Sequence, residues 1–137
     1  MAALTGAYDA KRKDGAIIAF LVGAGVIVHK GALVAVTSAT GFVGPAADAA
    51  GTVFVGVAYE SADNSRGAGG AAWVRVQTVG LYRYGKAGAV QSDVGKTAYV
   101  VDDNTVGITS AHAVPVGGIM ALIDGGMVGV LIEAGGV

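Results

Sequence analysis

The clearest alternation of apolar and polar residues lies at the centre of the chain, between positions 71 and 84. Val74 and Val76 fall on one side of an extended backbone, while an aromatic and two polar residues fall on the other. A period of two with β-branched and aromatic residues is typical of a half-buried strand. Gly80 interrupts the run, and a glycine within a strand pattern indicates a bulge or a sharp bend. We call residues 71–84 the central ribbon, and we predict that it joins two similar parts of the chain.

Further short apolar segments, each bounded by glycine or other turn residues, predict strands on both sides of this ribbon. They lie at 16–22, 26–28, 33–37, 42–43, 52–59, 97–101, 106–109, 116–123 and 127–133. Asp124-Gly125 between the last two is a strong hairpin signal. No stretch has an apolar stripe of helical period and length, although the alanine-rich segment 46–50 permits one helical turn. The sequence predicts an all-β fold, a compact barrel or sandwich of about ten short strands.

The order of these segments repeats along the chain. From 30 to 80, and again from 95 to 134, it runs through a strand, a turn, a short strand, a spacer, a longer strand and a final strand. Gly56-Val57-Ala58 of the first part corresponds to 118–121 of the second. Such a pseudo-repeat indicates two similar β units packed together. We predict one β domain over 16–137, preceded by an extended arm over 1–15.

Two polar segments lack a clear apolar pattern. The arm is a solvated terminus in the simplest interpretation, but it is also suited to ordering on a partner by adding a strand to its sheet. The segment 61–70 is rich in Ser, Asn, Asp and Gly, which predicts a flexible loop. Residues of these segments that we expect at a partner or oligomer contact are Lys11, Arg12, Lys13, Asn64 and Arg66.

The composition indicates that part of the surface is covered by another protein or by other copies of this chain. The chain has 137 residues, enough for one domain with its own core, and no cysteine, which excludes disulfides and Cys-based metal sites. Charged residues make up 14% of it, against about 25% in typical domains. Small Gly and Ala residues contribute to the mean hydropathy of +0.62. A protein surface with so few charged residues predicts a substantial interface with other copies or with a partner.

The charge balance predicts neither nucleic-acid nor membrane binding. Nine basic and ten acidic residues give a net charge of −1, so the sequence predicts no basic surface for binding the phosphates of a nucleic acid. The apolar run 16–28 follows Lys11-Arg12-Lys13 and superficially resembles a signal peptide. However, it contains glycines, is too short to cross a bilayer and leads to no clean cleavage site. We expect no targeting segment and no membrane partner.

Two glycine motifs resemble nucleotide-binding loops but lack their context. Gly95-Lys96-Thr97 has Val90 where a phosphate-binding loop requires its first glycine, and a strand pattern follows instead of a helix. Gly23-Ala24-Gly25 lacks the third glycine and the helix of a dinucleotide site. We therefore expect neither motif to bind a nucleotide.

Isolated polar residues offer few candidates for metal binding or catalysis. His29 and His112 are the two histidines, and neither has a second ligand at the spacing typical of metal sites. Glu60 and Glu133 end corresponding strands and allow a carboxylate pair in principle, but polar strand ends facing water are the simpler interpretation. Asp102-Asp103-Asn104 lacks the calcium-loop pattern. We expect no metal site, no cofactor and no enzymatic activity.

Large aromatic residues cluster around the central ribbon. We interpret Trp73, Tyr82 and Tyr84 as core or interface anchors, because Arg75 and Arg83 alone would form a thin cationic groove for stacked bases. The alternative is a small β-barrel module that binds a ligand in a pocket near these three aromatic residues. A cavity with converging polar groups would favour that alternative.

Three strings of the chain resemble the small, β-rich capsid decoration (cement) proteins of tailed bacteriophages. They are VFVGVAYES, then WVRVQTVGLYRYGKAGAVQSDVGKTAYVVDDNTVGITS, then VPVGGIMALIDGGMVGVLI, and the similarity extends from Gly31 to the C terminus. The arm is not part of it. These motifs are structural rather than catalytic.

The resemblance implies a structural virion protein on the exterior of the phage capsid, assembled in the host cytoplasm. Its partner would be the major capsid protein, whose lattice it would stabilise, and it would form homo-oligomers, with trimers favoured. Another virion component, such as a fibre base or head-tail piece, is an alternative, as is the ligand-binding module. The composition agrees with a passive binding role. A protein in such a role stabilises the shell because it binds the assembled state.

Overall fold

The computed structural model describes residues 2–7, 9–12 and 14–134. Regular structure in these residues is β apart from one 3₁₀ turn at Gln91–Asp93, so the predicted all-β class is confirmed. The strands are β1 (Ile17–Leu21), β2 (Val26–Val28), β3 (Leu33–Thr37), β4 (Val43–Pro45), β5 (Thr52–Ala58), β6 (Ala62–Asn64), β7 (Trp73–Gln77), β8 (Val79–Gly85), β9 (Thr97–Asp102), β10 (Thr105–Gly107), β11 (Pro115–Asp124) and β12 (Met127–Glu133).

The first unit is an antiparallel sheet of five strands in the order β1-β7-β5-β3-β4. Val22, which follows β1, makes a parallel bridge with Val43 of β4 and so brings the two edges of the sheet together. Strands β2 and β6 form a separate pair in which Val26 lies opposite Asn64. The first unit is therefore a nearly closed barrel with a two-stranded addition.

The second unit is a closed five-stranded barrel in the order β10-β8-β12-β11-β9. The hairpin of β11 and β12 is joined at Asp124-Gly125, as the turn residues predicted. Closure depends on one parallel contact, in which Thr105 of β10 lies opposite Gly85 of β8. All other neighbours in this barrel are antiparallel.

The two units share one pairing scheme. In the first, β3 pairs with β4 and β5, β5 pairs with β7, and β7 pairs with β1. In the second, β9, β10, β11, β12 and β8 take the corresponding places. The predicted repeat bounds, 30–80 and 95–134, differ from these units because they leave out β1 and most of β8. Both omitted strands lead their unit: the segment between β1 and β3 contains β2, and the segment between β8 and β9 contains the 3₁₀ turn.

The central ribbon passes from one unit to the other at a single residue. β7 belongs to the first sheet and β8 to the second barrel, with Thr78 between them. The Thr78 N–H donates to the Ala16 carbonyl at 2.9 Å, and the Ala134 N–H donates to the Thr78 carbonyl at 3.3 Å. The start of β1 and the end of β12 therefore meet at this junction.

Glycines with positive φ shape the ribbon and the strand beside it. Gly80 has a φ of +137° within β8, yet its pairing with Ile132 continues without a register shift. The predicted interruption is thus a change in backbone conformation rather than a bulge against β12. Gly56 of β5 has a φ of +144°, and β3 shifts register beside it. This bulge shifts the alternation of β5, so that Val57 faces the same core as Phe54 although the two are three residues apart.

Two cores result, and β3 and β5 contribute to both. Inside the first unit, the buried side chains include Val34, Val55 and Val76. The second core fills the closed barrel and also contains Phe54 and Leu33 from the outer face of the first sheet. Because one core contains residues of both units, the two barrels are packed into one folded body.

The alanine-rich segment 46–50 contains no helical turn, so that expectation is wrong. Five residues are too few to nucleate a helix on propensity alone. The carboxylate of Asp48 instead accepts hydrogen bonds from the N–H groups of Ala111 and His112, at 2.9 and 2.8 Å. The segment serves as a contact between the loops of the two units.

Candidate functional site: a cleft between the two units

A cleft of about 480 Å³ lies where the two units meet beside the ribbon. Buried Val57 and Ala58 of β5 are part of its lining. The polar and aromatic lining comes from both units: Lys30, Tyr59 and Gln77 from the first, and Tyr82, Arg83 and Asn104 from the second. The pseudo-repeat places them together, because β8 leads the second barrel directly after β7 ends the first.

The tyrosines of the cleft are held by hydrogen bonds within the protein. Tyr84 is buried, and its hydroxyl donates to the Gly31 carbonyl at 2.8 Å. Burial raises the pKa of Tyr84 well above its ordinary value, and it raises the pKa of the half-buried Tyr82 as well. The Tyr82 hydroxyl donates to the side-chain oxygen of Gln77. Both phenols therefore remain neutral and fix the junction between the units.

An ion pair lies beside Tyr59, one of the aromatic residues of the cleft. The Arg75 guanidinium lies 5.1 Å from the centre of the Tyr59 ring and 2.9 Å from a carboxylate oxygen of Glu60. Hydrogen bonds from Arg75 lower the pKa of Glu60. The side chain of Glu133, the other half of the carboxylate pair considered from the sequence, lies outside the described part of the structure.

Two cations of the cleft have no such partner. Lys30 and Arg83 are exposed, and neither forms an ion pair with any residue in the described ranges. The cleft lining contains no acidic residue. This positive site belongs to a chain whose net charge is −1, so it is a local feature rather than a property of the whole surface.

The residues predicted to contact a partner are not gathered at one place. Lys11 and Arg12 are exposed in the arm, where the described residues form no strand, and Lys13 lies outside the described residues. Arg66 is exposed after β6. Trp73 is 61% exposed and lies opposite Leu21 of β1, but it does not line the cleft, whereas Tyr82 and Tyr84 do.

Asn64, which we expected at a partner contact, is buried and has a structural role within the fold. Its side chain is buried, and its amide nitrogen donates to the carbonyls of Gly23 and Ala68, at 2.8 and 2.9 Å. The segment 61–70 is also not simply a flexible loop, since Ala62–Asn64 forms β6. The polar composition of this segment suggested a loop. Composition alone does not show that the side-chain amide of one residue donates hydrogen bonds to several buried carbonyls.

A second surface feature lies on the outside of the closed barrel. We call Val79, Leu81, Met120 and Leu131 the outer apolar face; each is an exposed large apolar residue on β8, β11 or β12. Leu81 lies directly opposite Leu131 in the pairing of β8 with β12. A group of exposed apolar side chains on adjoining strands is typical of an interaction surface.

A buried ion pair closes the loop between β8 and β9, and no local pattern along the chain indicates it. The Lys86 ammonium lies 2.9 Å from an Asp93 carboxylate oxygen, and both side chains are almost fully buried. That carboxylate also accepts the Val90 N–H at 3.0 Å, and Lys96 approaches it to 3.9 Å. Hydrogen bonding from Lys86, the largest cause, holds the pKa of Asp93 below its ordinary value of 3.8.

We expect Asp93→Asn to lower the melting temperature at pH 7 by more than about 5 °C, because it leaves the buried Lys86 charge without its counterion. A carboxylate whose pKa is lowered by folding contributes stability above its unfolded pKa and loses it as the pH falls through the folded value. The difference from the unmodified protein should therefore shrink below about pH 4.

Calorimetry from pH 7 to pH 2 measures this, with Asp63→Asn as the control. Asp63 is exposed, and its pKa is lowered by hydrogen bonds from Ser65. A constant difference for Asp93→Asn across this range would contradict the assignment of the pH dependence to Asp93.

The described residues contain no group of three or more His, Cys, Asp or Glu side chains placed to hold a metal ion. His112 contacts Asp48 at 3.1 Å and His29 is exposed at the end of β2. In the ranges that the structure covers, no helix has the length and apolar character needed to span a membrane. Comparisons with protein-family models, curated proteins and solved structures found no significant match.

Proposed function

We propose that this chain is a structural virion protein that binds the exterior of a bacteriophage capsid and stabilises the lattice between major capsid protein subunits. The outer apolar face is the observation that carries the proposal. Leu81 and Val79 are each about three-fifths exposed, at 60% and 59%, in a chain with unusually few charges. Covering such a surface with another protein is favourable, because it removes apolar area from water.

The resemblance to decoration proteins supplies the identity of the partner. The strings that carry it include β5, β7 to β9, β11 and most of β12, and therefore the strands of the outer apolar face. Many identical contacts on a symmetric shell would raise the temperature at which the shell comes apart, since a ligand of the assembled state stabilises it. A trimer would suit threefold positions of such a lattice.

The proposed partner and surface are tested with particles that lack this protein. Adding the unmodified protein should raise the temperature of particle disruption, and quantitative mass spectrometry should find close to one copy per major shell subunit. Leu81→Ser with Leu131→Ser should weaken particle binding at least about tenfold, because each buried leucine contributes roughly 1.5–3 kcal/mol.

Ile27→Ser is the matched control, because Ile27 is exposed on β2 outside the outer apolar face. Equal heat resistance with and without the unmodified protein would overturn the proposed function. Full binding by the double variant would instead exclude the outer apolar face as the contact surface.

A ligand-binding module is the second candidate, and the cleft is the observation that favours it. The interior of the closed barrel does not favour this candidate, because it is filled by the fully buried side chains of Val100, Ile119 and Val130. A small molecule would have to bind in the cleft between the units, where only part of its surface could be covered. The lining of the cleft suits a different occupant.

A further inference from the structure

The cleft between the units combines two features that do not involve the apolar side chains of the outer apolar face. One is the pair of cations, Lys30 and Arg83, which have no ion-pair partner in the described part of the chain. The other is a strand edge whose backbone groups have no partner among the residues that the structure describes. Each feature alone is common on protein surfaces, but together they define the chemistry of an occupant.

The unpaired edge belongs to β8. The Gly85 N–H donates to the Asn104 carbonyl, whereas the Lys86 N–H donates to Gly126 at the β11–β12 turn. Backbone groups alternate in direction along a strand, so those of Arg83 and Leu81 point to the same side as Gly85, away from β12. Strand β10 pairs with β8 only at Gly85, and no other described strand covers this side. An extended peptide could therefore pair with β8 here.

The cleft is also elongated. An adjoining hollow of about 350 Å³ shares Lys30, Gly31 and Asn104 with it and continues towards His29 and Asp103. Asp103 is the acidic residue of this extension, and it lies beyond the part of the cleft that Arg83 lines. A length of chain is a better fit to this shape than a compact molecule.

We propose that the cleft binds an extended acidic segment of the shell subunit, which pairs with the free edge of β8 and brings a carboxylate to Lys30 and Arg83. This proposal rests on the function proposed above. Main-chain pairing supplies affinity for the extended segment, while the two cations select a segment with an Asp or Glu side chain.

Other classes of ligand fit the cleft less well. A sugar ring needs a free aromatic face, but Arg75 covers one face of Tyr59, the Tyr82 ring packs over Gly80, and Tyr84 is buried. A nucleic-acid strand needs a track of cations, and this cleft has two in a chain of net charge −1. An acidic peptide needs only what the cleft provides.

The first experiment measures binding to particles that lack this protein. The double variant Lys30→Glu with Arg83→Glu should bind at least about tenfold more weakly than the unmodified protein, because like charges would then face the segment. Lys96→Gln is the control, since Lys96 is a half-exposed cation that does not line the cleft. Circular dichroism and melting temperature establish that the variants fold.

The second experiment uses a carbodiimide, which joins a lysine amine to a carboxylate in direct contact with it. Decorated particles should yield a cross-link from Lys30 to an Asp or Glu of the shell subunit. The variant Lys30→Arg should bind normally, because it keeps the charge, but should lose this cross-link. Peptide mass spectrometry identifies the partner residue.

The outcomes separate the two proposals. If the unmodified protein fails to bind particles, both are overturned. If it binds and the double variant binds equally well, only the cleft proposal is overturned. A Lys30 cross-link to another copy of this chain would also overturn it, because the occupant would then be a neighbouring copy instead of the shell.

Discussion

Gly117→Ala is expected to lower the free energy of unfolding by about 3 kcal/mol or more, near the upper end of overpacking effects. Gly117 lies in β11 opposite Ile132 of β12, and a Cβ atom there would clash with the carbonyl group of Leu131. Backbone atoms of a paired strand cannot move aside as a flexible side chain can. The substitution should therefore separate β11 from β12 and open the closed barrel.

The neighbouring residue provides the control. A Cβ on Gly118 would meet only the Met120 sulfur, at 3.7 Å, which is an ordinary contact with a flexible side chain. Gly118→Ala should be neutral or stabilising by up to about 1 kcal/mol, since it reduces the freedom of the unfolded chain. Urea unfolding followed by far-UV circular dichroism measures both. Equal stabilities for the two variants would show that the approach of β12 to Gly117 is looser than the structure indicates.

Phe54→Ala is expected to cost about 3–5 kcal/mol, because it removes a large side chain from a packed core and leaves a cavity. Phe54 is 2% exposed and lies on β5 of the first unit, in the core that fills the second barrel. Domains of this size are stable by only about 5–15 kcal/mol, so the loss is a large share of the total.

Trp73→Ala is the contrasting aromatic deletion. Trp73 is larger than Phe54 but is 61% exposed, so its removal should cost less than about 1 kcal/mol. Denaturant unfolding of both variants under one set of conditions gives the comparison. A similar cost for the two would mean that the units are held together elsewhere than at Phe54.

Much of the strand arrangement could be predicted from local patterns. The segments 26–28, 33–37 and 127–133 have the predicted bounds, because each is a short apolar run between turn residues. The Asp124-Gly125 hairpin followed from its turn chemistry. Strand β6 could not be found in this way, because its three residues pair with β2 and have no apolar alternation of their own.

The candidate site could be predicted only in part. The alternative interpretation placed a pocket near Trp73, Tyr82 and Tyr84, and the last two of these do line the cleft. Lys30 was not chosen, because it lies about 50 positions before Arg83 and no local pattern relates them. The burial of Asp93 and Lys86 was hidden for a similar reason, since charge in a sequence does not reveal which ion pairs the fold encloses.

The meeting of two strand ends at Thr78 has a consequence for the order of the chain. Ala16 and Ala134 each hydrogen-bond to the backbone of this one residue, so the beginning and end of the folded body are adjacent. A short linker could join them, and the chain could then be opened at an exposed turn elsewhere without changing any strand neighbour. We therefore expect the fold to tolerate circular permutation, because the strand pairings that hold the two barrels together would be unchanged in the permuted chain.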